Sequence, residues 1–213
     1  MDWNLIIGFV FGVVASGIAA IFYEHATSPL IAISLDERPL ALGQHDDLPP
    51  HAFYHLRIRN LPAKLAFSSR KPAWSSKATI EVFDLNGNRV IADPIHARWP
   101  SQPEPFIPAV VGNQQVNLLD FARLMNARKV DLHSHEEEYI SLAIKFDGQT
   151  ECYIFSNESY LHPGWSKPEW RLNSGAYRVL VTVFYGRGRA QRAFTLENQR
   201  TARNSIELDY VST

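Results

Sequence analysis

A His-x-His pair is the strongest chemical motif in this sequence of 213 residues. It lies in the run Asp131-Leu-His133-Ser-His135, which three glutamates follow. Alternate residues of a strand project to the same side, so His133 and His135 could present two imidazoles to one ion of the Zn²⁺ class. Further His or carboxylate ligands, such as Asp131, would complete the shell. The motif therefore raises metal-dependent hydrolysis as a candidate activity.

The same run resembles the first metal-binding strand of the polymerase-and-histidinol-phosphatase phosphoesterases and of the amidohydrolases. In those families the motif opens a long α/β barrel, and later strands supply the remaining ligands. The sequence after His135 instead predicts antiparallel strands without alternating helices. We therefore interpret the motif as part of a polar loop. No metal ion, cofactor or catalytic residue is expected, and Asp131, His133 and His135 remain the only metal candidates.

Nucleophilic catalysis has little support in the sequence. Cys152 is the single cysteine, so no internal disulfide can form, and it lies in a predicted strand from Thr150 to Phe155. A free cysteine among apolar residues is most often a small buried hydrophobe. No Gly-x-Ser-x-Gly elbow or phosphate-binding glycine loop is present. These observations favour a non-enzymatic module.

Two polar and aromatic segments could bind a partner. Trp165 and Trp170 lie in a proline-rich link and could form a carbohydrate or peptide platform; alternatively they plug the open end of a β-domain. Arg187 and Arg189 lie at a glycine-rich hairpin tip and could contact lipid phosphates or nucleic acid, although a solvated tip is the alternative. The net charge of −1 and the isoelectric point near 6.7 disfavour a nucleic-acid partner.

The most apolar segment runs from Leu5 to Phe22 and contains no charged residue. A helix needs about 20 residues to cross a bilayer, and Trp3 and Tyr23 would lie at the two interfaces as aromatic anchors. The sequence therefore predicts one N-terminal transmembrane helix in a single-pass protein, with the lipid bilayer as a partner. A cleaved secretory signal and a buried core helix are the alternatives. Few Lys or Arg residues flank the span, so the side of the soluble domain stays open.

Small residues recur every fourth position along this predicted helix. They are Gly8, Gly12, Ser16 and Ala20. Small residues on one face let two helices approach closely in lipid, so this face predicts a homo-oligomer or pairing with another membrane protein. The alternative is the general abundance of Gly and Ala in transmembrane helices.

The remaining sequence predicts strands. Alternating apolar positions mark four of them: Ala52, Tyr54, Leu56 and Ile58; Ala78, Ile80 and Val82; Ile140, Leu142, Ile144 and Phe146; Val179, Val181 and Val183. We expect an anchor over 1–25, a linker with a first short strand over 26–50, a β-domain over 51–198 and a tail or edge strand over 199–213. Five prolines within 93–112 exclude a central strand there, and Asp120 is expected to cap a short helix.

Two parts of this β-domain carry a second resemblance. The run Tyr54-His-Leu-Arg-Ile-Arg-Asn60 and the run Gly175-Ala-Tyr177 before alternating valines are similar to the prokaryotic immunoglobulin-like, cell-adhesion-related β-sandwiches. The resemblance implies a mainly β fold, an immunoglobulin-like antiparallel β-sandwich behind the anchor, and identifies no site. The architecture also resembles membrane effectors of bacterial antiphage signalling, which implies a β-domain that senses a small ligand and clusters the anchor.

Overall fold

The computed structural model describes residues 3–36, 41–43, 48–63 and 69–211. The fold is mainly β and antiparallel, behind one N-terminal apolar helix. Outside the described residues lie 1–2 of the predicted anchor, 37–40 and 44–47 of the predicted linker, 64–68 of the predicted β-domain and 212–213 of the predicted tail.

Helix α1 spans Trp3–Thr27. Its segment Ile7–Thr27 is long and apolar enough to cross a membrane, and none of its most apolar window is buried. This exposure excludes the interpretation of α1 as a buried core helix. Pro29 follows shortly after, where its missing N–H prevents a further helical hydrogen bond.

The strands form two large sheets and one small sheet, in residues 31–210. Their bounds are β1 Ile31–Leu35, β2 Ala41–Gly43, β3 His51–Asn60, β4 Ala73–Phe83, β5 Ile95–His96, β6 Phe106–Val111, β7 Gln114–Leu119, β8 Val130–Leu132, β9 Glu137–Phe146, β10 Cys152–Ile154, β11 Arg171–Leu172, β12 Gly175–Tyr185, β13 Gly188–Asn198 and β14 Ile206–Tyr210. The first sheet has the order β1-β3-β9-β10-β11, with β2 also paired to β3. The second has the order β14-β13-β12-β4-β5, with β8 also paired to β4, and β6 and β7 pair alone.

The two large sheets pack face to face around one core. Alternate residues of β3, β4 and β12 are buried there, as their sequence patterns predict, for example Leu56, Ile80 and Val181. Strands β1 and β14 lie outside the predicted 51–198 boundaries but belong to these sheets, and Ile33 and Ile206 contribute to the core. We call residues 31–211 the two-sheet domain.

The alternation predicted for β9 is wrong in its second half, because the pairing of β3 with β9 contains a bulge. Tyr54 pairs with Ala143 and His55 with Ser141, so Leu142 is an extra residue. A bulge of this kind reverses which residues face each side of the sheet. Ile144 therefore packs on the outer face of the first sheet, and Lys145, expected at the surface, is fully buried.

Two 3₁₀ turns, Asn157–Leu161 and Pro163–Trp165, and the segment that crosses between the sheets pack on the outer face of the first sheet. Phe146, Phe155 and Tyr160 form a second hydrophobic cluster there. A third turn, Pro168–Trp170, contributes Trp170 to the core between the sheets. As predicted, no central strand passes through 93–112, because β5 is a two-residue edge strand and β6 lies in the small sheet. Asp120 caps helix α2, Phe121–Asn126, as predicted.

Candidate functional site at the helix–domain junction

The carboxyl end of α1 is fastened directly to the two-sheet domain. The backbone N–H of Lys71 donates to the carbonyl of Thr27 at 2.6 Å, and the guanidinium of Arg70 donates to the carbonyl of Ser28 at 2.7 Å. The last carbonyls of a helix lack intrahelical partners and carry partial negative charge, so cationic side chains stabilise them. The loop before β4 therefore acts as the cap of α1.

Asn60, which is fully buried, connects the same junction to three other segments. Its Oδ1 accepts from the backbone N–H of Leu30 at 3.1 Å, and its Nδ2 donates to the carbonyls of Lys71 and Leu132 at 3.0 and 3.2 Å. These bonds satisfy groups that burial would otherwise leave without partners. The helix thus meets the domain through a hydrogen-bonded connection.

A cavity of about 620 Å³ lies beside this connection, and we call it the junction pocket. The side chains that give it its chemistry are Glu24, Lys71, Trp74, Tyr185 and Arg187. Lys71 Nζ contacts Glu24 Oε2 at 2.5 Å, and both side chains are about half exposed. Because water screens such a pair, it adds little stability. Arg187 forms no ion pair with any residue that the structure describes.

Trp74 is placed in the pocket by a local distortion of β4. The pairing of β4 with β8 shifts between Ala73 and Ser76, and Ser75 adopts a positive φ of 49°. The backbone N–H of Ser75 donates to Asp131 Oδ1 at 2.7 Å, which satisfies a group that the distortion removes from the ladder. Trp74 consequently projects outward and is 57% exposed.

The residues of the His-x-His motif lie beside this distortion and make separate contacts. His133 meets the Trp74 ring edge to face at 5.4 Å, while Asp131 bonds to Ser75. His135 has a positive φ of 73°, and its N–H donates to the carbonyl of Asn60 at 3.2 Å. Among the described residues, no group of three His, Cys, Asp or Glu side chains could hold a metal ion.

The hairpin tip between β12 and β13 supplies the other wall of the junction pocket. The Tyr185 ring lies over Gly188, where an added Cβ would come within 2.6 Å of the ring. Glycine at this position therefore lets the ring lie flat against the backbone. Of the two predicted basic residues of the tip, Arg187 lines the pocket, whereas Arg189 is exposed and is not part of its lining.

Trp165 and Trp170 do not form one platform. Trp165 is half-buried in the outer cluster, with its ring centroid 5.2 Å from that of Tyr160. Trp170 is 6% exposed and belongs to the core between the sheets, with Lys167 Nζ 4.0 Å from its ring centroid. A binding role for these two rings stays a prediction.

A second cavity, of about 410 Å³, lies on the outer face of the first sheet, and we call it the outer-face pocket. Arg98 lines it and is only 4% exposed. Its guanidinium donates to Asn157 Oδ1 at 2.7 Å and to the carbonyl of Gln102 at 2.9 Å, and lies 5.2 Å from the Tyr160 ring centroid. Among the described residues it has no carboxylate partner. Sequence reasoning missed Arg98, because a single arginine in a proline-rich crossover gives no periodic signal.

Burial also controls the titration of the groups near Arg98. It lowers the pKa of His55 below its usual value, although the charge of Asp36 opposes the shift. His55 Nδ1 is buried and has no hydrogen-bond partner among the described residues. Burial raises the pKa of the Tyr160 hydroxyl, so that this group stays protonated. The outer-face pocket thus combines a buried cation and the carboxylate of Glu104 with neutral polar groups.

Two buried groups between the sheets are not arranged for chemistry. Cys152 is fully buried, as predicted, and burial raises the pKa of its thiol to about 12. The reactive thiolate is therefore suppressed at neutral pH. Lys145 Nζ donates to Asn198 Oδ1 at 2.6 Å, and burial lowers its pKa. This bond links the two sheets.

The predicted packing face of α1 is exposed along its length. The residues Gly8, Gly12, Ser16 and Ala20 are all exposed, as are the predicted interface anchors Trp3 and Tyr23. An added Cβ at Gly8 or Gly12 would meet no atom within 4 Å. This face is consequently open to a partner helix.

Comparisons with protein families, with curated proteins and with solved structures find no match to this chain.

Proposed function

We propose that this chain is a single-pass membrane protein that presents an immunoglobulin-like β-sandwich as a non-enzymatic binding or structural module. The observation that carries the proposal is an apolar helix whose most apolar window is entirely unburied and whose carboxyl end is hydrogen-bonded to the domain. Exposing this much apolar surface to water would be strongly unfavourable, whereas lipid accommodates it. A cleaved signal would be removed, and its contacts with Arg70 and Lys71 would be lost with it.

Membrane extraction combined with intact mass tests this proposal. The full chain is expressed with a carboxyl-terminal tag, and its membranes are washed with alkaline carbonate. A chain that keeps residues 1–213 and stays in the membrane pellet supports an anchor. A shortened chain, or a full-length chain released by carbonate, contradicts it. Protease treatment of intact and lysed cells then shows on which side of the membrane the domain lies.

We propose that the small-residue face of α1 mediates self-association. Its glycines leave room for close backbone contact between helices, which is the main source of helix pairing in lipid. Gly12→Leu fills this face, and Val14→Leu places the same leucine side chain on another face of the helix. Cross-linking in native membranes should show oligomers that Gly12→Leu weakens and Val14→Leu preserves. Equal behaviour of the two variants would contradict the proposed face.

A ligand-sensing effector is the second candidate function, and the outer-face pocket favours it. Arg98 uses two of its five N–H donors in hydrogen bonds with described residues, and His55 Nδ1 lacks a described partner. A small anionic ligand that binds there should raise the melting temperature of the wild-type protein in detergent and increase cross-linked oligomers. Nucleotides and dicarboxylates are the probes, and His55→Gln is the variant that should lose the response. No response to any probe contradicts this candidate.

A further inference from the structure

We propose that the junction pocket binds the phosphodiester headgroup of a bilayer phospholipid. This inference rests on the proposed function, because it requires α1 to lie in a membrane. It assigns a ligand to a site that membrane anchoring alone does not explain.

The connection between α1 and β1 is so short that the pocket must lie near the membrane surface. Helix α1 has 25 residues and would extend about 37 Å, slightly more than the roughly 30 Å of a bilayer core. Only Ser28, Pro29 and Leu30 separate it from β1, and three residues reach about 10 Å at most. Glu24, one wall of the pocket, therefore lies close to the headgroup level.

The charges of the pocket complement a phosphodiester. Its lining contains one carboxylate, Glu24, and two cations, Lys71 and Arg187. One uncompensated positive charge remains, and a phosphodiester carries one negative charge. The ammonium of Lys71 has three donors, and its contact with Glu24 uses one of them. The guanidinium of Arg187 presents a planar set of donors that suits phosphate oxygens.

The aromatic side chains of the pocket, Trp74 and Tyr185, are also suited to the headgroup level of a membrane. Trp74 is 57% exposed and Tyr185 is partly exposed at the hairpin tip. Trp and Tyr side chains are favoured at the headgroup level because an apolar ring and a polar edge meet two environments there. In a water-facing pocket the exposed area of Trp74 would be unfavourable. Facing lipid, it would lie against the glycerol region.

Native mass spectrometry of the full chain released from nanodiscs tests the inference. The lipids are phosphatidylcholine with a minor fraction of phosphatidylglycerol. Arg187→Gln should reduce retention of the bound phospholipid about fivefold, the effect expected for losing one cationic contact with a lipid phosphate. Arg178→Gln is the matched control, since Arg178 is exposed on β12, the strand that leads to the hairpin tip, and pairs with Phe83 at the opposite end of β4.

The outcomes separate this inference from the anchor proposal. If the wild-type chain is extracted by carbonate, the anchor proposal and the inference both fail. If the chain resists extraction but Arg187→Gln and Arg178→Gln retain lipid equally, the inference alone is wrong. Soluble glycerol phosphate provides a further comparison. If it displaces the bound phospholipid at matched concentration, the site recognises a free phosphate ester and the lipid assignment is overturned.

Discussion

In the junction pocket the cationic groups of Lys71 and Arg187 lie at the surface, whereas in the outer-face pocket the guanidinium of Arg98 is 4% exposed. Water solvates the charges of Lys71 and Arg187, so their position costs little free energy. Arg98 has lost most of its water, and the oxygens of Asn157 and Gln102 with the Tyr160 ring replace it. The surface cations are therefore solvated by water, while the buried cation also holds the crossover segment on the first sheet through its bond to Gln102.

The largest predicted effect follows from removing the buried cation. Arg98→Ala should lower the free energy of unfolding by about 3 kcal/mol, because it leaves the buried oxygen of Asn157 and the partly buried carbonyl of Gln102 without their donor. Urea unfolding of the full chain in detergent, followed by tryptophan fluorescence, measures this loss. Arg178→Ala is the control and should change stability by about 0.5 kcal/mol or less. Equal losses of unfolding free energy in Arg98→Ala and Arg178→Ala would contradict the claim that the buried cation contributes more to stability than a surface cation.

His55, in the outer-face pocket beside Arg98, should make the stability of the protein depend on pH. Burial holds the pKa of His55 below its ordinary value of 6.5, so the folded state binds fewer protons than the unfolded state. Stability is therefore complete above about pH 6.5 and declines as the pH falls from there towards the lowered pKa. His55→Gln should reduce this decline. Part of it should remain, because burial also lowers the pKa of His96. An unchanged pH dependence in His55→Gln would show that protonation of His55 does not cause this decline in stability.

Removing the hydrogen bond between Asp131 and Ser75, next to Trp74, should have an intermediate effect on stability. Asp131→Ala removes the acceptor for the Ser75 N–H and should cost about 1–2 kcal/mol of unfolding free energy. Asp131→Asn keeps an oxygen in the same position and should recover most of the loss. Both values come from the same urea titration. If the two variants behave alike, the hydrogen bond to Ser75 does not support the bulge.

The smallest effect on stability is expected at the junction pocket itself. Trp74→Ala and Arg187→Gln each remove a largely exposed side chain and should change the unfolding free energy by about 0.5 kcal/mol or less. The same variants should lose phospholipid in the nanodisc experiment. Leu85→Ala is the control for Trp74, because Leu85 is 71% exposed beyond the opposite end of β4. A large loss of stability in Trp74→Ala would make the pocket a structural element instead of a binding site.

Elements whose side chains repeat with a regular period were predictable from the amino-acid sequence. The apolar run of α1 and the alternation in β4 and β12 each predicted an element that the structure contains, with Ile80 and Val181 in the core. Such patterns are local, since a helix or strand must place its apolar residues on the side that will be covered. The N-cap at Asp120 is likewise local, because its oxygen bonds to the next N–H groups of the same helix.

The positions of Lys145, Arg98 and Trp74 depend on the packing of the assembled sheets and could not be predicted from the sequence. A bulge opposite His55 turned Lys145 inward, and the crossover between the sheets buried Arg98. Trp74 became part of a pocket because Asp131, 57 residues later in the chain, stabilises the distortion beside it through Ser75. Each of these outcomes depends on a contact between segments far apart in sequence. No periodic pattern records such contacts, so they appear only once the sheets are assembled.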